Sequence, residues 1–237
     1  MEQAIGIKDL SFGYDGQTVL EDINLEISQG DFVAFIGPNG TGKSTLMKLM
    51  VGQLEADQGQ LKVLKKSVSD FDDWDKIGFI SQKVRDFNKS FPATVKEIVG
   101  ANLYQQMGFF KILSPDLVKK VDAALEKVDM LEYKERQLGS LSGGQQQRVF
   151  IARVLVTEPE IIFLDEPLVG VDAKNQEDFY RLLEGLNQSS GITIIMISHN
   201  VNLVSKKANK IVCFEDGQIY THTSEEFEPH LHSGRTN

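Results

Sequence analysis

The chain has 237 residues, of which 41% are hydrophobic and 25% charged, with a net charge of -9 and a pI near 5.0. This length fits one large domain, or one domain with a subdomain, and the composition is ordinary for a globular protein. The acidic balance argues against nucleic acid and against an anionic lipid surface as direct partners.

The first eighty residues alternate short apolar runs with turns. Strands are predicted near residues 5–10, 23–27 and 32–36, with turns at 15–16 and 29–30, and two further runs lie between 59 and 80. Tyr14 lies between the first two strands. It is either an aromatic packed at a sheet edge or, beside a nucleotide, a platform on which adenine stacks.

A glycine-rich loop follows the third predicted strand. It consists of Gly37, Pro38, Asn39, Gly40, Thr41, Gly42, Lys43, Ser44 and Thr45. This spacing is typical of loops whose backbone N–H groups surround phosphates. Lys43 supplies a positive charge for the outer phosphates, and the Ser44 hydroxyl is a suitable Mg²⁺ ligand. With a helix predicted from 44 to 50, whose N-terminus would face the phosphates, the pattern indicates a nucleotide site.

The hydrophobic period changes to three and four residues over 83–140, which predicts helices. Thr94 and Glu97 have the spacing of a capping box, and Ser114 before Pro115 is a second helix start. Ser142 and Gln145 repeat the capping-box spacing before a helix that should reach about Thr157. A helical subdomain is therefore expected inside an α/β core.

Two buried strands are predicted late in the chain, and each ends in groups that can do chemistry. Asp165 and Glu166 follow the run 161–164, while His199 follows the run 192–197. Ligands of open α/β sheets bind at this edge, so Asp165 is a candidate Mg²⁺ ligand and Glu166 a candidate base for an attacking water. A solvated acidic turn and a structural histidine are the alternatives on these segments alone.

The remaining sequence signals concern location. The longest apolar runs are too short to cross a bilayer, and the start of the chain lacks the pattern of a secretory signal. The single cysteine, Cys213, lies in an apolar run and is predicted to be a buried thiol. These features favour a cytosolic protein that reaches a membrane only through a partner.

The segment Leu141–Gln145, reading Leu, Ser, Gly, Gly, Gln, makes the chain resemble the nucleotide-binding subunit of ATP-binding cassette (ABC) transporters. The resemblance runs from Tyr14 to His199 with every motif in the family's order. It implies that Tyr14 stacks on adenine, that residues 37–45 form the Walker A loop and that Gln82 senses Mg²⁺ and the attacking water. It also implies that the signature segment consists of Ser142, Gly143, Gly144 and Gln145. By the same resemblance, Asp165 is the Walker B aspartate, Glu166 the catalytic base, Asp172 the dimer-spanning aspartate and His199 the switch histidine.

The resemblance also implies an architecture. The fold class is α/β, with a P-loop NTPase (RecA-like) core, an N-terminal antiparallel β subdomain and an inserted α-helical signature subdomain. One ABC ATPase domain spans 1–237, with the core in 1–82 and 159–220, the helical subdomain in 83–158 and a tail in 221–237. ATP and Mg²⁺ are the implied cofactors, and two protomers pair head to tail so that each signature segment contacts the γ-phosphate held by the other.

The chain departs from the family pattern at two places. Ser81 stands before Gln82 where proline is common, and Val169, Gly170 and Val171 stand before Asp172 where Ser-Ala-Leu is common. Neither change removes a residue to which the resemblance gives a role.

A finer resemblance concerns the transported ion. The run Lys83–Asn88, the segment from Phe91 to Val95 and the turn 167–172 are similar to ATPases of bacterial zinc and manganese uptake, closest to zinc. This implies a peripheral protein on the cytoplasmic face of the membrane, bound to a permease dimer and served indirectly by an extracytoplasmic metal-binding protein. A manganese or iron importer, a non-transport ABC ATPase, a P-loop kinase and an inactive binding subunit remain as alternatives.

The tail holds three of the four histidines. His222, His230 and His232 are interleaved with Glu225, Glu226 and Glu228, which lie between the first and the second of these histidines. Imidazole and carboxylate groups suit Zn²⁺, but the spacing matches no closed site. A flexible solvated tail is the simpler prediction.

Overall fold

A computed structural model of the chain describes residues 2–82, 92–109, 112–168 and 171–227. In this part of the chain the strands are β1 (Gln3–Tyr14), β2 (Gln17–Ser28), β3 (Phe32–Ile36), β4 (Gln58–Val63), β5 (Lys66–Ser67), β6 (Ile77–Ile80), β7 (Ile161–Asp165), β8 (Thr193–Ile197), β9 (Lys210–Glu215) and β10 (Gln218–Thr223). The helices are α1 (Lys43–Met50), α2 (Val95–Gly100), α3 (Pro115–Glu126), α4 (Gly143–Leu155), α5 (Ala173–Ser190) and α6 (Val201–Val204).

The strands form two sheets. A four-stranded antiparallel sheet has the order β2-β1-β4-β5, and a six-stranded sheet has the order β10-β9-β3-β8-β7-β6. All neighbours in the six-stranded sheet are parallel except β9 and β10. The carboxyl ends of β3, β6, β7 and β8 therefore meet at one edge, and the segments that follow them lie there.

Both faces of the parallel sheet are buried, which explains the continuous apolar runs of its strands. Alternate residues of β3 join different clusters: Phe32, Ala34 and Ile36 face the helical part of the chain, while Val33 and Phe35 face β1, β2 and α1. All five residues are at most 3% exposed. The antiparallel sheet with α1 covers one face, and the helices cover the other.

The helix starts follow the predictions. Thr94 caps α2 and Ser142 caps α4 through reciprocal capping boxes, and Ser114 caps α3 with Pro115 in its first turn. The predicted end of α4 near Thr157 is wrong by two residues, because the helix ends at Leu155 with Val156 as its C-cap. Helix ends fray, and the apolar run from Val154 to Val156 crosses the end of the helix, so the hydrophobic pattern does not mark the boundary.

The strand boundaries differ further from the prediction. The predicted runs 5–10 and 23–27 lie inside strands that each span twelve residues, since β1 and β2 pair along almost their whole length. Polar residues at both ends hide this length, because an exposed strand face has no apolar pattern. The region 59–80 holds three strands rather than two, because a two-residue β5 turns back on β4.

The C-terminal part of the described chain is more ordered than a flexible tail. Thr221–Thr223 complete β10 against β9, and Phe227 is 6% exposed within the helical-side core. His230, His232 and Glu228 lie outside the described residues. Among the residues described, no group of three or more His, Cys, Asp or Glu side chains is placed to hold a metal ion.

Cys213 lies buried in β9, as predicted. Burial raises the pKa of its thiol to about 11, with a contribution from the charge of Glu215. No helix in the described ranges is long and apolar enough to span a membrane.

Candidate nucleotide site

The glycine-rich loop joins β3 to α1 at the carboxyl edge of the parallel sheet. Gly37 has φ 141°, and a Cβ added there would collide with the carbonyl oxygen of Phe214. Gly42 has φ 96° and is the N-cap of α1, with Leu20 Cδ2 only 2.6 Å from an added Cβ. Both positions require glycine, because a side chain is excluded by sterics and by backbone conformation. Pro38, Asn39 and Gly40, at the tip of the loop, are exposed.

Lys43 is the first residue of α1 and folds back over the loop. Its Nζ donates to the carbonyl oxygens of Gly37 at 2.8 Å and Pro38 at 2.6 Å, and the residue is 5% exposed. Burial lowers the pKa of Lys43, while the charges of Glu166 and Asp165 act in the opposite direction. Among the described residues, the hydrogen bonds of this buried ammonium go to neutral carbonyls, so its positive charge is available to an anion such as phosphate.

Ser44 and Asp165 join the loop to the end of β7. The Ser44 hydroxyl donates to Asp165 Oδ1 at 3.0 Å, and Asp165 is 9% exposed. Burial raises the pKa of Asp165, the Ser44 bond lowers it, and the charge of Glu166 raises it. A hydroxyl and a carboxylate at this distance are hard oxygen ligands, so these two residues fit Mg²⁺ on their chemistry.

Glu166 is the meeting point of three chain segments. Gln82, just after β6, donates from Nε2 to Glu166 Oε2 at 3.1 Å, and His199 Nε2, just after β8, lies 2.7 Å from Glu166 Oε1. The backbone of Glu166 has φ 49°, in the left-handed region that non-glycine residues rarely adopt. The chain therefore turns sharply after Asp165, and the Glu166 carboxylate lies between an amide and an imidazole at the sheet edge.

The predicted signature residues Ser142–Gln145 lie at the start of α4. The Ser142 side chain accepts from Gln145 N at 3.3 Å, and Gln145 Oε1 accepts from Ser142 N at 3.0 Å. The side chains of Ser142 and Gln145 therefore bond back to the backbone at this end of the helix, while the orientation of the helix gives it a partial positive charge. Gly143 and Gly144 add no side chain there, so a phosphate could approach the backbone closely.

Asp172 caps α5, and the neighbouring Asn175 lies close to Gly144 in the first turn of α4. Asp172 accepts from Asn175 N at 3.1 Å and from Asn175 Nδ2, and these bonds lower the pKa of Asp172. Asn175 Oδ1 lies 3.3 Å from a Cβ added to Gly144. A cavity of about 100 Å³ separates the two helix starts and is lined by Ser142, Gly144, Gln145, Gln147, Arg148, Asn175, Asp178 and Phe179.

Tyr14 ends β1 and is 43% exposed, and its ring forms a T-shaped contact with the ring of Phe12 at a centroid distance of 4.9 Å. An exposed ring face is what a stacking platform needs, and the packing against Phe12 orients it. The structure thus groups the predicted residues in three sets. Lys43, Ser44, Gln82, Asp165, Glu166 and His199 lie along the sheet edge. Ser142, Gly144 and Gln145 line the cavity between α4 and α5, with Gly143 at the start of α4 and Asp172 at the start of α5. Tyr14 lies at the end of β1.

Sequence reasoning missed several residues that hold these turns. Gln147 Nε2 donates to Pro167 O at 2.8 Å, which ties α4 to the turn after Glu166, and Gln176 and Asn200 join two further turns. Gln147 is the third of three consecutive glutamines, 145–147, in the first turns of α4. The run of three glutamines at the start of a predicted helix was the available signal, because any amide that becomes buried there needs hydrogen-bond partners. The run Lys83–Asn88 and Phe91 lie outside the described residues, as do Val169 and Gly170.

Comparison with known proteins gives one family. The family model described as ABC transporter matches residues 20–169. The chain is 42% identical over 231 residues to the zinc uptake system ATP-binding protein of Listeria monocytogenes, covering 98% of this chain and 90% of that protein. It is 36% identical over 214 residues to the high-affinity zinc uptake system ATP-binding protein of Bacillus subtilis, with 90% and 92% covered. A manganese transport system ATP-binding protein of Halalkalibacterium halodurans is 36% identical over 212 residues, with 90% and 83% covered.

Solved structures give the same fold. The chain matches cbiO1 of Clostridium perfringens, part of the ABC transporter complex cbiONQ, with a TM-score of 0.85 and 29% identity, over 95% of this chain and 90% of that one. It matches a bacterial ABC transporter cassette solved as a dimer with a TM-score of 0.77 and 28% identity, over 94% and 100% of the two chains. These matches confirm the fold class predicted from the sequence.

Proposed function

The chain belongs to the ABC transporter family as a transport-coupled ATPase, and we propose that it powers the import of a divalent metal ion, zinc. The family match and the zinc uptake relatives at 42% and 36% identity support this assignment. The single observation that supports zinc as the transported ion is the 42% identity, over 98% of this chain, to a zinc uptake protein. The geometry of the residues at the sheet edge supports the roles in ATP hydrolysis that we propose for them.

The residues at the sheet edge divide the work of hydrolysis. Lys43 binds the outer phosphates of ATP by charge, and the loop 37–45 binds them through its backbone N–H groups. Mg²⁺, when bound, neutralises phosphate charge, and Ser44, Gln82 and Asp165 would hold it. Tyr14 stacks on the adenine.

Glu166 is the proposed general base. A carboxylate bonded to Gln82 and His199 is held in one orientation, which is what a base needs to align an attacking water. His199 holds Glu166 from one side and stabilises charge that develops on the γ-phosphate. Gln82 is the last residue before the proposed helical subdomain and links the position of that subdomain to the base.

A complete site requires a second protomer. The start of α4, with Ser142, Gly143, Gly144 and Gln145, presents a glycine-bearing helix N-terminus whose capping glutamine and serine are already satisfied. In the proposed head-to-tail dimer this end contacts the γ-phosphate bound by the other protomer, and Asp172 lies at the dimer centre. A two-fold pair then has two equivalent sites, and ATP closes the dimer while hydrolysis opens it.

The proposed division of the chain follows from these roles. Residues 1–82 and 159–220 form the nucleotide-binding core with its β subdomain, 83–158 form the helical subdomain, and 221–237 form a C-terminal tail whose first three residues complete β10. The helical subdomain transmits dimer closure to a permease dimer at the cytoplasmic face of the membrane. An extracytoplasmic metal-binding protein delivers the ion, so this chain does not touch it.

Zinc uptake by whole cells tests the proposal. Cells that lack the gene and carry the wild-type chain on a plasmid should accumulate radioactive Zn²⁺ from a submicromolar supply, and cells carrying Glu166→Gln should not. An excess of unlabelled Mn²⁺ should leave that uptake unchanged. Equal uptake with the two plasmids would contradict the proposal.

Manganese is the second candidate. The 36% identity to a manganese transport protein over 90% of the chain is the observation that favours it. In the same experiment, a fall in the uptake of radioactive Zn²⁺ when unlabelled Mn²⁺ is added would favour manganese as the transported ion.

A further inference from the structure

One face of α5 contacts two turns at the carboxyl edge of the parallel sheet. Asp172 is the N-cap of this helix, and Gln176 and Tyr180 follow at intervals of four residues. Residues spaced in this way lie on one side of a helix, one above the other. The same side of α5 therefore meets both the turn that ends in Asp172 and the turn that carries His199.

Gln176 joins these turns with a single side chain. Its Nε2 donates to Val171 O at 2.8 Å, and its Oε1 accepts from Asn200 Nδ2 at 3.1 Å. Val171 immediately precedes Asp172, and Asn200 immediately follows His199. The amide thus bridges the residue before the proposed dimer-spanning aspartate and the residue after the proposed switch histidine.

The direction of this bridge is fixed by backbone groups at both ends. Leu203 N can only donate, and it donates to Asn200 Oδ1 at 3.2 Å, so the Asn200 amide nitrogen faces Gln176. Val171 O can only accept, so the Gln176 amide nitrogen faces it. A rotation of either amide by 180° would place two like groups together at both contacts. The bridge therefore has one geometry.

A second contact holds the other side of His199. Ser198 Oγ lies 2.8 Å from Tyr180 OH and accepts from Asn200 N at 3.1 Å. Tyr180 is completely buried, and burial raises its pKa to about 12, with the Ser198 bond acting against this. The turn is thus fastened to α5 on both sides of a histidine whose side chain is 43% exposed and reaches Glu166.

We propose that Gln176 is a positioning residue that couples the Asp172 turn to His199, so that contact at the dimer centre sets the orientation of the imidazole on Glu166. The inference rests on the roles proposed for Asp172, Glu166 and His199. Gln176 contacts neither nucleotide nor water in this scheme. It acts through Asn200 and the backbone of Val171.

Replacement of the amide by an apolar group of similar size tests the coupling. Gln176→Leu removes both hydrogen bonds, and Gln188→Leu makes the same change at an exposed position near the end of α5. With the full-length protein and Mg-ATP, we expect Gln176→Leu to lower kcat by about tenfold. The KM for ATP should stay within about twofold, because the loop 37–45 is untouched. Gln188→Leu should match the wild type in both.

A further pair of variants separates positioning from loss of structure. In a His199→Ala background, Gln176→Leu should produce no additional fall in kcat, because its effect passes through the imidazole. Asn200→Ser keeps an N-cap for α6 but is too short to bridge, and it should reproduce the kcat of Gln176→Leu. Gln176→Glu, which keeps the acceptor for Asn200 and loses the donor to Val171, gives a second test if the leucine variant fails to fold.

The outcomes divide cleanly. An unchanged kcat in Gln176→Leu would overturn the coupling. So would a double variant whose fall in kcat is the product of the falls in Gln176→Leu and His199→Ala. In either case an active wild type would leave the proposed ATPase function unaffected. A wild-type chain that hydrolyses no ATP would overturn the proposed function and this inference together. A fall in kcat at constant KM that vanishes in the His199→Ala background would support it.

Discussion

Nε2 of His199 and Oε1 of Glu166 lie 2.7 Å apart, although the two residues follow different strands of the parallel sheet. Their closeness depends on β7 and β8 being neighbours in register, with Asp165 opposite Ile197. Gln82 reaches the second oxygen of the same carboxylate from the end of β6, the neighbour of β7 on its other side. The two contacts of the Glu166 carboxylate therefore depend on the alignment of β6, β7 and β8.

Removal of the charge of Glu166 should separate nucleotide binding from hydrolysis. Glu166→Gln keeps the size of the side chain but cannot accept a proton, so turnover should fall by about a hundredfold or more. ATP binding should persist, because the loop 37–45 is unchanged, and the protein should accumulate as a dimer with Mg-ATP. Phosphate release and light scattering measure the two effects. Glu160→Gln, which alters a surface ion pair with Lys76 just before β7, should behave as the wild type.

Lys43 should govern affinity for ATP. Lys43→Met keeps the length of the stem and removes the ammonium that bonds to the Gly37 and Pro38 carbonyls, so ATP affinity should fall by about tenfold or more at low salt. Equilibrium binding of a fluorescent ATP analogue measures the change. The same substitution at exposed Lys62 in β4 removes an equal charge far from the loop, and a matching loss there would show a non-specific charge effect.

The two capping boxes offer a matched test of the signature segment. Ser142→Ala and Thr94→Ala each remove an N-cap side chain, so each should lower the free energy of unfolding by about 1 kcal/mol. Only Ser142→Ala should weaken ATP-driven dimerisation, because Thr94 caps α2 outside the proposed interface. Denaturant titration and light scattering of both variants measure this. Equal dimerisation by both would remove Ser142 from the composite site.

Cys213 should be unreactive in the folded protein. With its pKa raised to about 11, little thiolate exists at pH 8, and the residue is 5% exposed. Reaction with a chromogenic disulfide reagent should be about a hundredfold slower than for a cysteine placed at exposed Ser190 by Ser190→Cys. Rapid labelling of Cys213 without denaturant would contradict the burial of β9.

The same thiol makes stability depend on alkaline pH. Because folding raises the pKa of this acid from 9.0 to about 11, the folded state binds the proton more tightly than the unfolded state. Stability is therefore retained below pH 9.0 and falls as pH rises towards 11. Denaturant titrations between pH 9 and 11 should show the free energy of unfolding falling less steeply with pH in Cys213→Ala than in the wild type.

The sequence predicted what depends on local pattern. The loop 37–45, the caps at Ser114 and Ser142, and the apolar strands before Asp165 and His199 all have signals within a few residues, and the structure has those elements where they were expected. Strand lengths in β1 and β2 were underestimated, because their ends pair with polar faces exposed. No local signal shows which strand neighbours which.

The contacts that connect distant segments could not be read from the chain. Gln176 and Asn200 are 24 residues apart, and their bond depends on the packing of α5 against the end of β8. Likewise, Asn175 approaches Gly144 only because α4 and α5 start at the same cavity. The pairing of Glu166 with Gln82 and His199 needed the sheet order, which propensity and periodicity leave open.

The most direct test of the central claim is the metal content and growth of cells lacking this gene in chelated medium, with Zn²⁺ or Mn²⁺ restored separately. If the chain powers zinc import, these cells should have low cellular zinc, grow poorly and be rescued by Zn²⁺ alone, with complementation by the wild-type chain but not by Glu166→Gln. Normal zinc content, or rescue by Mn²⁺ in place of Zn²⁺, would contradict zinc import.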